Sequence, residues 1–277
     1  MAMQCTAHEH ACIVRKVVRI LLPMSLMALH DISPLAILLP QRDVRNQELP
    51  ATSVVMHITG RATYLNAERR RKHPLIHLGD SFGKEDSSFA HYSVDPWGQI
   101  GCTAPERERP WAQGWGAFGG RRGLKQKLAS GALEVPAWWL EYWGTFDDCM
   151  SPLDLLIDPL ADSPNDRSVA IEFIQYGNQF LLTEAQYAAG YSLLHDICFR
   201  NGILCEPPYI RGHEDTDPWG RGTKDGGWDP GARRVAPRFN WGVMFNGLIE
   251  ASAGMMISTP PRPEWAPHLN TNGNPTG

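Results

Sequence analysis

Residues 211–231 read R-G-H-E-D-T-D-P-W-G-R-G-T-K-D-G-G-W-D-P-G and lead through A-R-R-V-A-P-R-F-N to Trp241. Glycine and proline punctuate the stretch too densely for a helix or strand, so it reads as an irregular loop that holds side chains in place, the kind of segment that usually carries function. Two of those side chains bear chemistry: His213, and Asp229 sixteen residues later in a Trp-Asp-Pro-Gly turn. A histidine and a carboxylate from one loop are two of the three protein ligands that a catalytic zinc ion takes, its fourth position being left to water. The best third candidate is His57, at the end of the run Ser53-Val54-Val55-Met56, whose β-branched, apolar content is that of a buried strand. Singly, each has a plainer reading: His57 as a hydrogen-bonded core histidine, His213 as a loop residue, Asp229 as the opening of a turn.

Ser168 to Gln175 is a second buried-strand pattern, with Glu172 between Ile171 and Phe173. Side chains alternate along a strand, so Glu172 faces away from its two apolar neighbours and can enter a cleft while they enter the core. A partly desolvated carboxylate there has a raised pKa, which suits a general base that activates water; the alternative is a salt-bridged structural glutamate.

Five stretches in order carry a resemblance. They are residues 54–60 (V-V-M-H-I-T-G), 89–100 (F-A-H-Y-S-V-D-P-W-G-Q-I), 165–173 (N-D-R-S-V-A-I-E-F), 183–187 (T-E-A-Q-Y), and the loop from Gly212-His213 through Asp229-Pro230-Gly231 to Trp241. Together they resemble the zinc-dependent N-acetylmuramoyl-L-alanine amidases of type 2, the family that includes phage lysozyme-like amidases and the peptidoglycan recognition proteins. The resemblance implies an α/β fold with a central mixed β-sheet flanked by helices. It implies Zn2+ held by His57, His213 and Asp229, with Glu172 as the catalytic base. It also implies hydrolysis of the amide between N-acetylmuramic acid and L-alanine in bacterial peptidoglycan. His91 would be structural. The family commonly places a lysine two residues before the ligand aspartate, where this chain has Gly227; Lys224, or Arg221 before it, is then the candidate for the oxyanion.

A chain of 277 residues, 43% hydrophobic, can bury a full core, and a net charge of -4 with no basic block argues against nucleic acid as a partner. Residues 1–49 have no counterpart in the resemblance. Their apolar runs, Val17 to Leu29 and Ile32 to Leu39, are broken by Arg19, Pro23, His30, Asp31 and Pro34, so neither makes a membrane span, and the basic start and cleavage site of a signal peptide are missing. Cys5, His8, His10 and Cys12 lie close together but lack the distant second ligand pair of a structural zinc site.

Residues 50–252 would form the amidase domain, with residues 103–164 as a long, irregular, aromatic-rich insertion and residues 253–277 as a flexible tail. The aromatics of the insertion can wall a glycan groove or form a satellite core; packing is preferred, since most buried aromatic area is packing. Thr183 with Gln186 makes a capping box for a helix to Asn201, Gly202 stops it, and Asn240 to Ala251 reads as a further helix. Cys198 and Cys205 are near enough in sequence to pair, although six scattered cysteines prescribe no disulfide framework. The expectation is therefore a zinc amidase of the bacterial cell wall, acting in the periplasm or outside the cell and suited to delivery by a phage. The alternative is a non-catalytic peptidoglycan-binding module, or a virion structural protein with virion partners, on the same fold.

Overall fold

The computed structural model describes residues 31–39, 45–46, 50–59, 74–76, 89–110, 112, 120–137, 139–140, 163–175, 182–220, 229–230, 239–254, 268–269 and 275–276. Its centre is a mixed sheet of six strands, as the sequence leads one to expect. In chain order these are β1 (Ile37–Leu38), β3 (Ser53–Ile58), β4 (Tyr92–Val94), β5 (Ile100–Cys102), β7 (Ser168–Phe173) and β8 (Ile210–Gly212), and across the sheet they run β1-β5-β4-β7-β3-β8. β4, β7, β3 and β8 are mutually parallel, while β5 runs against β4 and carries β1 alongside it. Short antiparallel pairs form apart from the main sheet, β2 (Arg45–Asn46) with β6 (Glu108–Arg109) and β9 (His268–Leu269) with β10 (Pro275–Thr276).

Helices described in full are α1 (Gly120–Ala129), α2 (Glu184–Asn201), the single turn α3 (His213–Thr216) and α4 (Trp241–Ser252). One face of the sheet carries the main core. Val54, Met56 and Ile58 of β3 and Val169, Ile171 and Phe173 of β7 meet Ala189, Leu193, Leu194 and Ile197 of α2, with Met244 and Leu248 of α4 behind. The approach of α2 to the sheet is so close that a Cβ on Gly190 would lie 2.8 Å from the Phe173 ring and 3.0 Å from Met244 Cε. Gly190 thus serves packing, at a cost in helix propensity of about 1 kcal/mol against alanine.

Both ends of α2 follow the sequence. Thr183 Oγ1 caps Gln186 N at 3.1 Å, Gln186 Oε1 returns to Thr183 N at 3.1 Å, and Gly202 ends the helix at φ 62°. Gln186 does more than cap: its Nε2 donates to Val94 O at 3.2 Å and Ile174 O at 2.9 Å, which moors the helix start to the ends of β4 and β7. Cys198 and Cys205 are free thiols.

A second polar anchor lies at the other end of α2 and has no local sequence signal. Glu106, 4% exposed, accepts from Tyr92 Oη at 2.5 Å, from Arg200 Nη2 at 2.5 Å and Nη1 at 3.0 Å, and from Asn201 Nδ2 at 2.5 Å. Burial, and then the Glu106 charge, pushes the Tyr92 hydroxyl well above its ordinary value, so it remains a donor. Tyr92 Oη in turn accepts from Ser33 N at 2.8 Å, which fixes the segment that becomes β1. Part of the stretch before residue 50 is thereby built into the sheet edge, and the aromatic-rich segment 103–164 contains a helix, α1, whose Leu124 is fully buried.

The opposite face of the sheet is mixed. Leu39, Leu75 and Ile174 form a small apolar cluster near β5, and His91, fully buried, stands beside it as a structural residue. Its Nδ1 accepts from Ala170 N at 2.9 Å, which leaves the proton on Nε2, 3.0 Å from the Glu108 carbonyl. Both ring nitrogens are used in the neutral state, and burial holds the imidazole down to about 4 from its ordinary 6.5.

Two expectations follow from these contacts. Glu106→Ala takes the buried acceptor from Tyr92 Oη and leaves Arg200 with Asp196 as its carboxylate, and should lower unfolding free energy by about 3 kcal/mol in urea titration. His91 binds a proton in the unfolded chain below pH 6.5 but in the fold only near pH 4. Its contribution is therefore whole above 6.5 and lost as pH falls toward 4, by up to about 3 kcal/mol. Urea midpoints at pH 7 and pH 4.5 should diverge in the wild type and diverge less in His91→Gln.

Candidate metal centre and its neighbours

The alternation expected of β3 and β7 holds. Met56, Ile58, Ile171 and Phe173 enter the core, and the residues between them, His57 and Glu172, stand on the other face. Register then does the assembling. His57 pairs with Glu172 across β3 and β7, and Met56 pairs with Gly212 across β3 and β8, so the next residue, His213, emerges level with His57. Glu172, His57 and His213 thus occupy one row across three parallel strands, each step about 4.8 Å wide. The row lies at the carboxyl ends of those strands, the edge at which open α/β sheets hold ligands.

His213 leaves β8 as the first residue of α3. Gly212 N donates to Asp215 Oδ2 at 2.9 Å, and the His213 carbonyl accepts from Asp217 N and Thr216 Oγ1, both at 2.9 Å. Asp229 is brought in by backbone bonds from two sides. Ile58 N donates to its Oδ1 at 3.3 Å, and Glu214 N donates to the carbonyl of Pro230 at 3.1 Å. The loop from 213 to 229 is thus pinned at both its ends against the end of β3.

The three candidate ligands meet. The His57 and His213 rings have centroids 4.4 Å apart, His213 Nδ1 lies 3.0 Å from Asp229 Oδ2, and one donor atom from each of the three falls within 4.8 Å of the others. All three side chains are buried, at 3%, 3% and 4% exposure, whereas Glu172 is half-buried. Among the described residues this is the one group of histidine, cysteine or carboxylate side chains so arranged.

The donor set fits zinc. Two imidazoles and a carboxylate are a known catalytic zinc combination; ligand atoms around a tetrahedral ion stand about 3.4 Å apart, a spacing near the 3.0 Å between His213 and Asp229 and inside the 4.8 Å spanned by the set. His213 Nδ1 and Asp229 Oδ2, 3.0 Å apart, both face this gap, and metal binding at such a site releases protons from its ligands.

Of the other residues singled out in the sequence, His91 is committed to Ala170 and Glu108 and belongs to the scaffold. Lys224, Arg221 and Gly227 lie outside the described residues, as do Cys5, His8, His10 and Cys12. Sequence reasoning passed over Ser93. It pairs with Glu172 in β4, shares its face of the sheet, is 1% exposed, and keeps a hydroxyl with no hydrogen-bond partner. The hairpin pattern located its strand, but nothing in the sequence marked that position.

Solved structures offer likenesses of low identity. A selenomethionine derivative of AmpD is 14% identical, with 79% of this chain and 97% of that chain covered and a TM-score of 0.44. Staphylococcus aureus hydrolase AmiA in complex with its ligand is 10% identical, with 92% and 97% covered and a TM-score of 0.46. N-acetylmuramoyl-L-alanine amidase LysC from Clostridium intestinale URNW is 12% identical, with 81% and 100% covered and a TM-score of 0.41. No curated protein matches the chain. The family model described as N-acetylmuramoyl-L-alanine amidase matches residues 47–232, well over half of the sequence and the whole span from β3 to Asp229, and the chain therefore belongs to the N-acetylmuramoyl-L-alanine amidases, enzymes of peptidoglycan.

Proposed function

We propose that this amidase is zinc-dependent, that His57, His213 and Asp229 hold the ion, and that Glu172 is its general base. The observation that carries the reading is the meeting of two imidazoles and a carboxylate in a buried pocket, with a half-exposed glutamate next in the row. The bond cleaved is the amide between the lactyl group of N-acetylmuramic acid and the L-alanine of the stem peptide.

Bound zinc supplies Lewis-acid polarisation of the scissile carbonyl and makes water a better nucleophile near neutral pH. Glu172 takes the proton from the attacking water on its carboxylate and returns it to the leaving amine, so one residue serves as base and then acid. His57 and His213 would supply imidazole donors and Asp229 a carboxylate. Lys224 is the candidate cation for the oxyanion. The substrate places the site of action at the bacterial cell wall, outside the cytoplasm. Among the described residues no helix is long and apolar enough to cross a membrane.

Zinc content and release of L-alanine amino termini from purified peptidoglycan should be measured together. The intact protein should carry one zinc per chain and release amino termini. His213→Ala should lose both, and Glu172→Ala should keep the metal while turnover drops by about 10²–10⁴-fold. Full turnover in Glu172→Ala would remove that residue from the mechanism, and an intact protein active without metal would overturn the zinc assignment.

A further inference from the structure

The segment between β6 and β7 holds the most aromatic part of the chain, and the proposed function leaves its role open. Two of its residues touch the loop that carries His213. Trp139, 1% exposed, donates from Nε1 to the Asp215 carbonyl at 2.9 Å. In the reverse direction, Trp219 Nε1 donates to the Glu134 carbonyl at 2.7 Å.

The chemistry of α3 gives these bonds weight. A single helical turn is not stable alone, and its last carbonyls have no partner within the helix. Asp215 contributes such a carbonyl, two residues after His213. Further bonds run within the turn and from it to Pro230, on the Asp229 side. Two bonds that cross in opposite directions, Trp139 to Asp215 and Trp219 to Glu134, tie the turn and the residues after it to residues 134–139. The indole itself is set by a turn of its own: Trp139 N and Leu140 N donate to Pro136 O at 2.9 Å and 3.2 Å.

We infer that Trp139 is a positioning residue of the metal centre, holding His213 in its ligating orientation through the Asp215 carbonyl, with Trp219 as the reciprocal tie. Glu134 and Trp139 then back the site as well as pack. This rests on the zinc reading of His57, His213 and Asp229, and the test separates the two.

Trp139→Phe removes the N–H and retains a ring. Zinc affinity, by competition with a chromogenic chelator, should weaken about 10-fold, the usual scale for loss of a group that orients a ligand. The visible absorption of the cobalt-substituted protein should change in position or intensity, reporting altered ligand geometry. Gly190→Ala, which strains the α2–sheet contact away from the metal, supplies the comparison: at equal or greater loss of thermal stability it should keep wild-type zinc affinity and cobalt spectrum. Should Trp139→Phe fail to fold, Trp219→Phe is read in its place, with a weakening of about 3-fold expected for the more exposed tie. Wild-type affinity and spectrum in the tryptophan variant would overturn the inference, as would a loss no larger than that of Gly190→Ala. Absence of zinc binding in the wild type would overturn the metal centre, and the positioning role with it.

Discussion

His57 stands beside Glu172 because β3 and β7 pair in parallel with Ser53 opposite Ser168, and everything chemical in the chain depends on that register. The side-chain period of a strand is two, so a slip of one residue would turn His57 into the α2 core and bring Met56 to the polar face. The core prevents the slip. Val54, Met56 and Ile58 are wholly buried on one face together with Val169, Ile171 and Phe173, and turning the three of β3 over has no compensating gain. Hydrophobic burial on one side of the sheet thus determines which polar groups meet on the other, and β8 extends the same registry to His213.

Meeting is not free of cost, since Asp229 and two imidazoles leave water to do so. A buried carboxylate requires compensation. Asp229 has it in the Ile58 N–H and in His213, and the loop that carries both residues is tied down by the Glu214–Pro230 bond. The arrangement is stiff without being apolar. It resembles a preorganised site more than a core, because polar groups are gathered where aliphatic ones would pack at lower cost.

Much of this was legible in the sequence, for a physical reason that can be stated element by element. The capping box of Thr183 and Gln186, the stop at Gly202, the β-branched run before His57 and the alternation around Glu172 are local signals, and local signals survive folding. Spacing alone could not join residues 57, 172, 213 and 229; the order of motifs did that through family resemblance. What stayed hidden was non-local or weakly patterned. Glu106 binds partners 14, 94 and 95 residues away, and no window contains them. Ile37–Leu38 is only two residues of strand, too short for periodicity, and joins the sheet edge through β5. Among its described residues helix α1 buries Leu124 alone fully, a faint apolar stripe amid charge. Lys224 lies in a part of the loop where glycines leave no pattern from which to argue.

Glu172 differs in exposure from the side chains gathered beside it. The three candidate ligands are shut away, while the glutamate is half open, with the buried Ser93 hydroxyl as its neighbour in β4. That polarity suits the division of labour. Ligands need shielding from water that would compete for the ion and screen its charge, whereas a base must exchange protons with solvent between turnovers. His57 has β8 and the Asp229 end of the ligand loop on one side, and Glu172 lies one strand farther in, beside Ser93. A single sheet with the loop pinned across one end therefore produces both environments within the width of three strands.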